Sequence, residues 1–256
     1  MNPYHFYLSI VSHGHDEFII NNSAFSSLAK KEGITIIVMD NIQSSLLKDH
    51  CIQNGIDYLF NQTRVGFGEN NNTIFEHCIN NKSMLDTDYF IVINPDVILN
   101  ESEFENLVQF TMNHEPSLFT INLFLDKDFS KFDTSVRYFP SLMAYFKSFF
   151  LNIGYNYDKS TIHKPMTVDW ASASFLGFKA SLFQKLNGFD EDFFMYCEDI
   201  DICARAKASG TALTFIPSIK AVHMVQQKNW NIFSKHFWWH LKSILTYFRK
   251  TRPIIR

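Results

Sequence analysis

The sequence predicts an α/β fold: a mostly parallel central sheet flanked by helices, followed by a C-terminal amphipathic helix. Three observations predict it. Short runs of β-branched and aromatic residues alternate with helical stretches through the first hundred residues, the order that builds parallel sheets. Polar clusters follow directly after those runs, at the strand ends where such sheets bind ligands. The last segment is aromatic, basic and free of acids.

Residues 4–11, 34–39, 56–60 and 89–93 read as strands, and 17–31, 44–54, 67–81 and 101–112 as the helices between and after them. Residues 118–125 read as a further strand, 141–151 as an aromatic-rich helix and 152–164 as a loop carrying Gly and Pro. Then come 168–178, a helix over 180–186 stopped by Gly188, a helix over 198–208, and a strand over 212–216 or 219–222. No internal repeat or low-complexity linker interrupts the chain. One domain over 1–228 and a helical segment over 229–256 are expected.

At 256 residues the chain can bury a full core. Its 46% apolar and 19% charged content is that of a folded protein. No run of eighteen apolar residues occurs, so no spanning helix is expected. Residues 1–10 lack the basic start and small-residue cleavage site of a secretion signal. The cysteines at 51, 78, 197 and 203 form no CxxC pair, and free thiols in a reducing cytosol are the simplest account. Charge is divided unevenly. Residues 1–201 carry 13 cations and 26 acids, and the remainder carries ten cations and no acid. Such a basic end suits an anionic partner: phospholipid, nucleic acid or the acidic body itself.

The strand ends supply the candidate ligand groups. Strand one ends in Ser12-His13-Gly14-His15, strand two in Asp40-Asn41, and strand four in Asn94-Pro95-Asp96. A carboxylate such as Asp96 can hold Mg²⁺ or Mn²⁺ together with phosphate oxygens; equally, Asn-Pro-Asp begins a turn. Gly66-Phe67-Gly68 lacks the third glycine of a dinucleotide fingerprint. It suits a helix start, either an ordinary one or one approached closely by a nucleoside.

Residues 190–201, DEDFFMYCEDID, place six acids around an aromatic block. A helix start accounts for Glu198, Asp199 and Asp201 but not for the apolar run before them. Carboxyls desolvated by aromatics have raised pKa values, as a general base requires.

Together these segments resemble the inverting GT-A glycosyltransferases of family 2. The order VSHGH, VMDN, GFGENNN, INPDV, VDWASASFLGF and NGFDEDFFMYCEDIDICARAKASG covers nearly the whole chain. The last segment, with SVRYFP (135–140) and WHLKS (239–243), resembles the rhamnosyltransferase branch. Members of that branch transfer L-rhamnose from dTDP-rhamnose to GlcNAc-diphosphoundecaprenol. The resemblance implies a GT-A fold, a nucleotide-sugar donor, a lipid-linked acceptor and a divalent metal, Mg²⁺ or Mn²⁺. It assigns Ser12, Asp40, Asn41, Gly66, Phe67, Asn71 and Asp96 to the donor, and Asp96 with His223 to the metal. Asp199 becomes the base and Glu198 its neighbour that orients the acceptor. Trp170 and Arg137 fall to the acceptor side, where a core tryptophan and a surface ion pair are equal alternatives. Asn94 departs from the pattern, standing where a two-acid motif has a carboxylate, whereas His223 supports it, following Asp199 by 24 residues, a separation resembling that in related galactofuranosyltransferases.

Inversion needs one in-line displacement at the anomeric carbon, one carboxylate to take the acceptor proton and one cation to neutralise the departing diphosphate. In residues 229–256, Phe233, Phe237, Leu241, Ile244, Leu245 and Phe248 share one side of a helical wheel, and Lys235, Lys242 and Arg249 lie on another. That pattern fits a helix lying in anionic headgroups at the inner face of a bacterial plasma membrane, or one docked on the domain. Transfer of another nucleotide sugar and a silent sugar-nucleotide-binding scaffold are the alternatives. Nucleic-acid binding has only the basic tail in its favour and no recognition motif.

Overall fold

The computed structural model describes residues 3–141, 154–224, 235–251 and 254. Strands β1 (Phe6–Ser12), β2 (Ile34–Asp40), β3 (Asp57–Phe60) and β4 (Tyr89–Ile93) run parallel, with β1 between β2 and β4. Every residue of β1 and β4 is buried, which is why their sequences are continuous apolar runs rather than alternating ones.

The remaining strands are β5 (Val97–Ile98), β6 (Leu118–Phe124), β7 (Val136–Arg137), β8 (Met166–Val168), β9 (Trp170–Ala171), β10 (Phe175–Lys179) and β11 (Leu213–His223). The main sheet has the order β3-β2-β1-β4-β10-β6-β11-β5, with β8 also on β11, while β7 and β9 form a separate ribbon. Since β10 is antiparallel to both β4 and β6, and β11 is parallel to β6, β6 and β11 point the same way as β1–β4. The carboxyl ends of β1, β2, β4, β6 and β11 therefore share one rim with the start of β10.

The helices are α1 (Asp16–Asn21), α2 (Ser23–Leu28), α3 (Ser45–Gln53), α4 (Phe67–Lys82), α5 (Glu101–His114), α6 (Ala180–Lys185), α7 (Glu198–Ala208) and α8 (Lys235–Lys250). The single helix expected over 17–31 is broken at Asn22. That side chain accepts from Ala24 N–H and donates to the Val97 carbonyl, so it caps α2 and anchors β5. Residues 166–179 carry three short strands, β8, β9 and β10. The two alternatives at 212–222 are one strand, β11, whose register shifts between Ile216 and Lys220, around a proline that cannot donate to a ladder. The helix expected over 141–151 lies, from 142 on, outside the described residues, as do 229–234 of the tail.

One face of the sheet packs Ile10, Ile36, Val38, Phe104 and Leu107. The other packs Phe75, Phe90, Phe178, Phe183 and Phe189 in tilted and edge-to-face pairs, which accounts for part of the high phenylalanine content.

Helix α8 docks on this second layer, and its orientation corrects the helical-wheel expectation. Tyr247 is fully buried, Ser243 Oγ donates to the Met195 carbonyl at 2.8 Å, and Thr251 Oγ1 donates to Asp201. Ile244 and Phe248 pack on the core, whereas Leu241 and Leu245 face outward. The expected apolar stripe is thus divided, because hydroxyls with partners on the domain turn the helix about its axis. Phe233 and the Lys235 and Phe237 side chains lie outside the described residues.

Candidate active site

After β4, Asn94-Pro95-Asp96 does form a turn, closed by Val97 N–H on the Asn94 carbonyl at 3.1 Å. The turn reading of the motif holds, and it leaves the Asp96 carboxylate at the strand end. Beyond it β5 pairs with β11, setting Val97 opposite His223. This register brings His223 Nε2 to 3.6 Å from Asp96 Oδ1. On the other side of the ring, Nδ1 lies 3.1 Å from Asp133 Oδ2. Asp133 Oδ1 accepts from Lys159 Nζ at 2.7 Å and from Ser135 Oγ at 2.6 Å. Burial alone would raise the Asp133 carboxyl, but hydrogen bonds from His223 and Ser135 and the charge and hydrogen bond of Lys159 outweigh it and hold the group at about 2. Among the described residues no three His, Cys, Asp or Glu side chains gather as a complete metal cage. Asp96 and His223 offer two donors on one open side, which suits a cation that takes its other ligands from diphosphate and water.

The carboxyl pair lies at the start of α7. Tyr196 and Cys197, just before it, have φ of 72° and 67°, a left-handed conformation that costs non-glycine residues on the order of 1–3 kcal/mol each and persists only when its surroundings fix it. The fixing contacts come from two sides. Phe67 N–H donates to the Phe194 carbonyl at 3.1 Å, and a Cβ on Gly66 would stand 2.6 Å from that same oxygen. From α8, Ser243 holds Met195, and the His240 ring meets Tyr196 edge-on at 5.0 Å.

Of the six acids, four are engaged elsewhere. Asp190 and Asp192 pair with Lys250, Glu191 bonds Asn72, and buried Asp201 bonds Arg205 and Thr251. Glu198 and Asp199 remain. Burial, with the charge of Asp199, lifts the Glu198 carboxyl well above its ordinary range, and among the described residues Glu198 Oε2 has no hydrogen-bond partner. Burial thus disfavours the anion of both carboxyls, and at Asp199 the Ile200 and Ala173 N–H groups and the Arg137 charge oppose that effect. The Ala173–Ser174 loop joins the two halves of the site: Ala173 N–H serves Asp199, and the Ser174 carbonyl accepts from Asn94 N–H at 3.0 Å.

Ser12 and Asp40 end adjacent strands and are fully buried. Both Asp40 oxygens are occupied, by Ile42 N–H, Ser44 N–H and the Tyr58 hydroxyl, so this carboxylate builds the turn after β2. Asn41 accepts from Asn61, which also bonds Asn70. Asn71 is buried, bonding Ser9 and the Phe67 carbonyl. Gly66 and Phe67 seat the aromatic run before α7. Trp170 is only 9% exposed, its Nε1–H donates to the Tyr138 carbonyl, and the Arg137 guanidinium lies 5.4 Å from its ring centre. Arg137 donates from Nε to the Thr134 carbonyl and from Nη2 to Thr134 Oγ1.

Rhamnosyltransferase WbbL of Escherichia coli K12 is 37% identical to the chain over 249 residues, spanning 96% of this chain and 93% of that protein. The chain belongs to the rhamnosyltransferases of glycosyltransferase family 2. An N-acetylglucosaminyl-diphospho-decaprenol L-rhamnosyltransferase of Mycobacterium tuberculosis is 39% identical over 56 residues, 22% of this chain and 18% of that one. No protein-family profile matches the chain. Among solved structures, mannosyltransferase PcManGT from Pyrobaculum calidifontis, in complex with GDP-Man and Mn²⁺, superposes with a TM-score of 0.61 at 12% identity, covering 99% of this chain and 68% of that one. The transferase thus has the GT-A fold expected from its sequence.

Asp133 and Lys159 of the transferase escaped sequence reasoning. Neither lies in a motif, and only the return of β11 beside β6 brings His223 to them. Tyr58 and Asn61 were missed likewise, being ordinary polar residues until β3 and α4 converge on the turn after β2.

Proposed function

We propose that the protein is a divalent-metal-dependent inverting transferase that moves L-rhamnose from dTDP-β-L-rhamnose to a GlcNAc carried on a polyprenyl diphosphate, in the assembly of O-antigen or a similar surface polysaccharide. The observation that carries this reading is the pairing of two acceptor groups, Asp96 Oδ1 and His223 Nε2, on the same loop framework that holds the ionisable Asp199. Mg²⁺ or Mn²⁺ bound at Asp96 and His223 would neutralise the leaving diphosphate. Asp199 accepts the proton of the acceptor hydroxyl as that oxygen attacks the anomeric carbon. Glu198, keeping its own proton, spares the cleft a second negative charge and orients the acceptor. The turn at Asn41–Ser44, built by Asp40, and the start of α4 form the nucleoside side with Ser12, Gly66, Phe67 and Asn71. On the acceptor side Arg137 faces Asp199, and the 44% exposed ring of Tyr138 offers the open aromatic surface that buried Trp170 does not.

The acceptor's lipid requires a membrane approach. None of the described helices is long and apolar enough to cross a bilayer. Helix α8 instead presents Trp238, Leu241 and Leu245 outward beside exposed Lys242 and Arg249, an interfacial pattern that suits anionic headgroups at the cytoplasmic face. Residues 1–228 act as the transferase domain and 229–256 as its membrane-facing segment.

Incubation with dTDP-rhamnose, Mn²⁺ and a GlcNAc-diphospholipid is expected to give a rhamnosyl product of inverted anomeric configuration. In Asp199→Asn turnover falls by about 10²- to 10⁴-fold with donor binding kept. Turnover retained in that variant, or a product of retained configuration, argues against the assignment.

A further inference from the structure

We propose that Asp133, backed by Lys159, is a positioning residue that fixes the ring tautomer of His223 so that its Nε2 lone pair is directed toward Asp96. The inference rests on the metal-dependent reading above.

The geometry points to it in three steps. Asp133 is held rigidly: its main-chain N–H bonds the Leu123 carbonyl at 3.1 Å, and Ser135 and Lys159 saturate Oδ1. Lys159 is itself 4% exposed and donates to that same Leu123 carbonyl at 2.8 Å, so the pair is pinned to the end of β6. The remaining oxygen, Oδ2, faces His223 Nδ1 at 3.1 Å. With Lys159 Nζ, Ser135 Oγ and Ser135 N–H all donating to Oδ1, Oδ2 is placed to accept from Nδ1–H, and a neutral ring protonated there carries its lone pair on Nε2. That lone pair faces Asp96 Oδ1 at 3.6 Å, too long for an N–H···O bond. Two acceptors turned toward each other with no proton between them repel unless a cation joins them. Adjacent ligands of a Mg²⁺-sized ion lie about 3 Å apart, close to the gap observed. A carboxylate behind a ligating histidine also raises the basicity of the ring.

A structural pin for the end of β6 would show the same contacts, so the test needs a signal that such a pin does not move. In the full chain labelled with ¹⁵N-histidine, long-range ¹H–¹⁵N correlation reports the tautomer of His223, and the resonance of free Mn²⁺ reports affinity. Wild type is expected to hold the Nδ1–H tautomer without metal. Asp133→Asn is expected to mix the tautomers and to weaken Mn²⁺ binding about 10- to 100-fold. Should the unpaired Lys159 unfold that variant, Asp133→Asn with Lys159→Met removes the buried pair together, with the same expectation. A folded variant that keeps the Nδ1–H tautomer, or binds Mn²⁺ within twofold of wild type, overturns the proposal. Wild-type protein that binds no Mn²⁺ overturns the metal reading instead, and the tautomer of His223 in the variant then decides the role of Asp133 alone.

Discussion

Glu198 and Asp199 differ in what surrounds them, and that difference is measurable. A carboxyl whose folded pKa exceeds its unfolded value makes the folded state lose stability as pH rises from the unfolded pKa toward the folded one. Burial and Asp199 place Glu198 in this class. Glu198→Gln is therefore expected to raise the melting temperature by a few degrees at pH 7, with the gain vanishing near pH 4; a variant that melts below wild type at pH 7 contradicts it. Arg137 acts in the opposite sense on Asp199 by favouring the anion. In Arg137→Gln the acid limb of kcat/KM is expected to move to higher pH, because the base then ionises later. The carboxyl pair was legible in the sequence, since acids beside FFMY are costly unless used. Asp133 and Lys159 were not, because nothing local distinguishes an aspartate in a loop after a strand from a solvated one. Asp40 was read as a ligand, and its burial beneath Ile42, Ser44 and Tyr58 makes it a builder of the turn.

The start of α7 depends on its neighbours. Two left-handed residues precede it, and α4 and α8 supply the contacts that keep them there. Gly66 is where α4 meets the strained run, and no methyl fits between Gly66 and the Phe194 carbonyl. Gly66→Ala is expected to cost about 1–3 kcal/mol and to lower kcat, read by chemical denaturation and by turnover; unchanged values for both would separate this contact from the site. Most elements were legible from period and punctuation, and the strands at 89–93 and the helix at 198–208 match their expected bounds. The break at Asn22 was hidden because its cause, the Val97 carbonyl, lies 75 residues away. The turn of α8 about its axis was hidden for a similar reason: a wheel records which side is apolar, not which hydroxyls find partners.

At the scale of the molecule, the charge asymmetry resolves into two uses. Lys250 is spent on Asp190 and Asp192 of the body, whereas Lys242 and Arg249 remain exposed beside an outward apolar stripe. Replacing Trp238, Leu241 and Leu245 by serine is expected to abolish sedimentation with anionic liposomes and leave transfer to a short-chain soluble acceptor near wild type; unchanged sedimentation assigns the stripe another task. The parallel rim itself was legible as a pattern of polar strand ends, and what it gathers followed only from the reversed β10 between β4 and β6. The proposed mechanism requires one cation site facing one base. Anomalous diffraction from crystals of Asp199→Asn soaked with Mn²⁺ and dTDP-rhamnose measures it. A manganese peak bridging Asp96, His223 and the donor diphosphate, with the anomeric carbon turned toward residue 199, is the required result. A peak remote from Asp96 and His223, or a donor whose anomeric carbon faces away from residue 199, would contradict it.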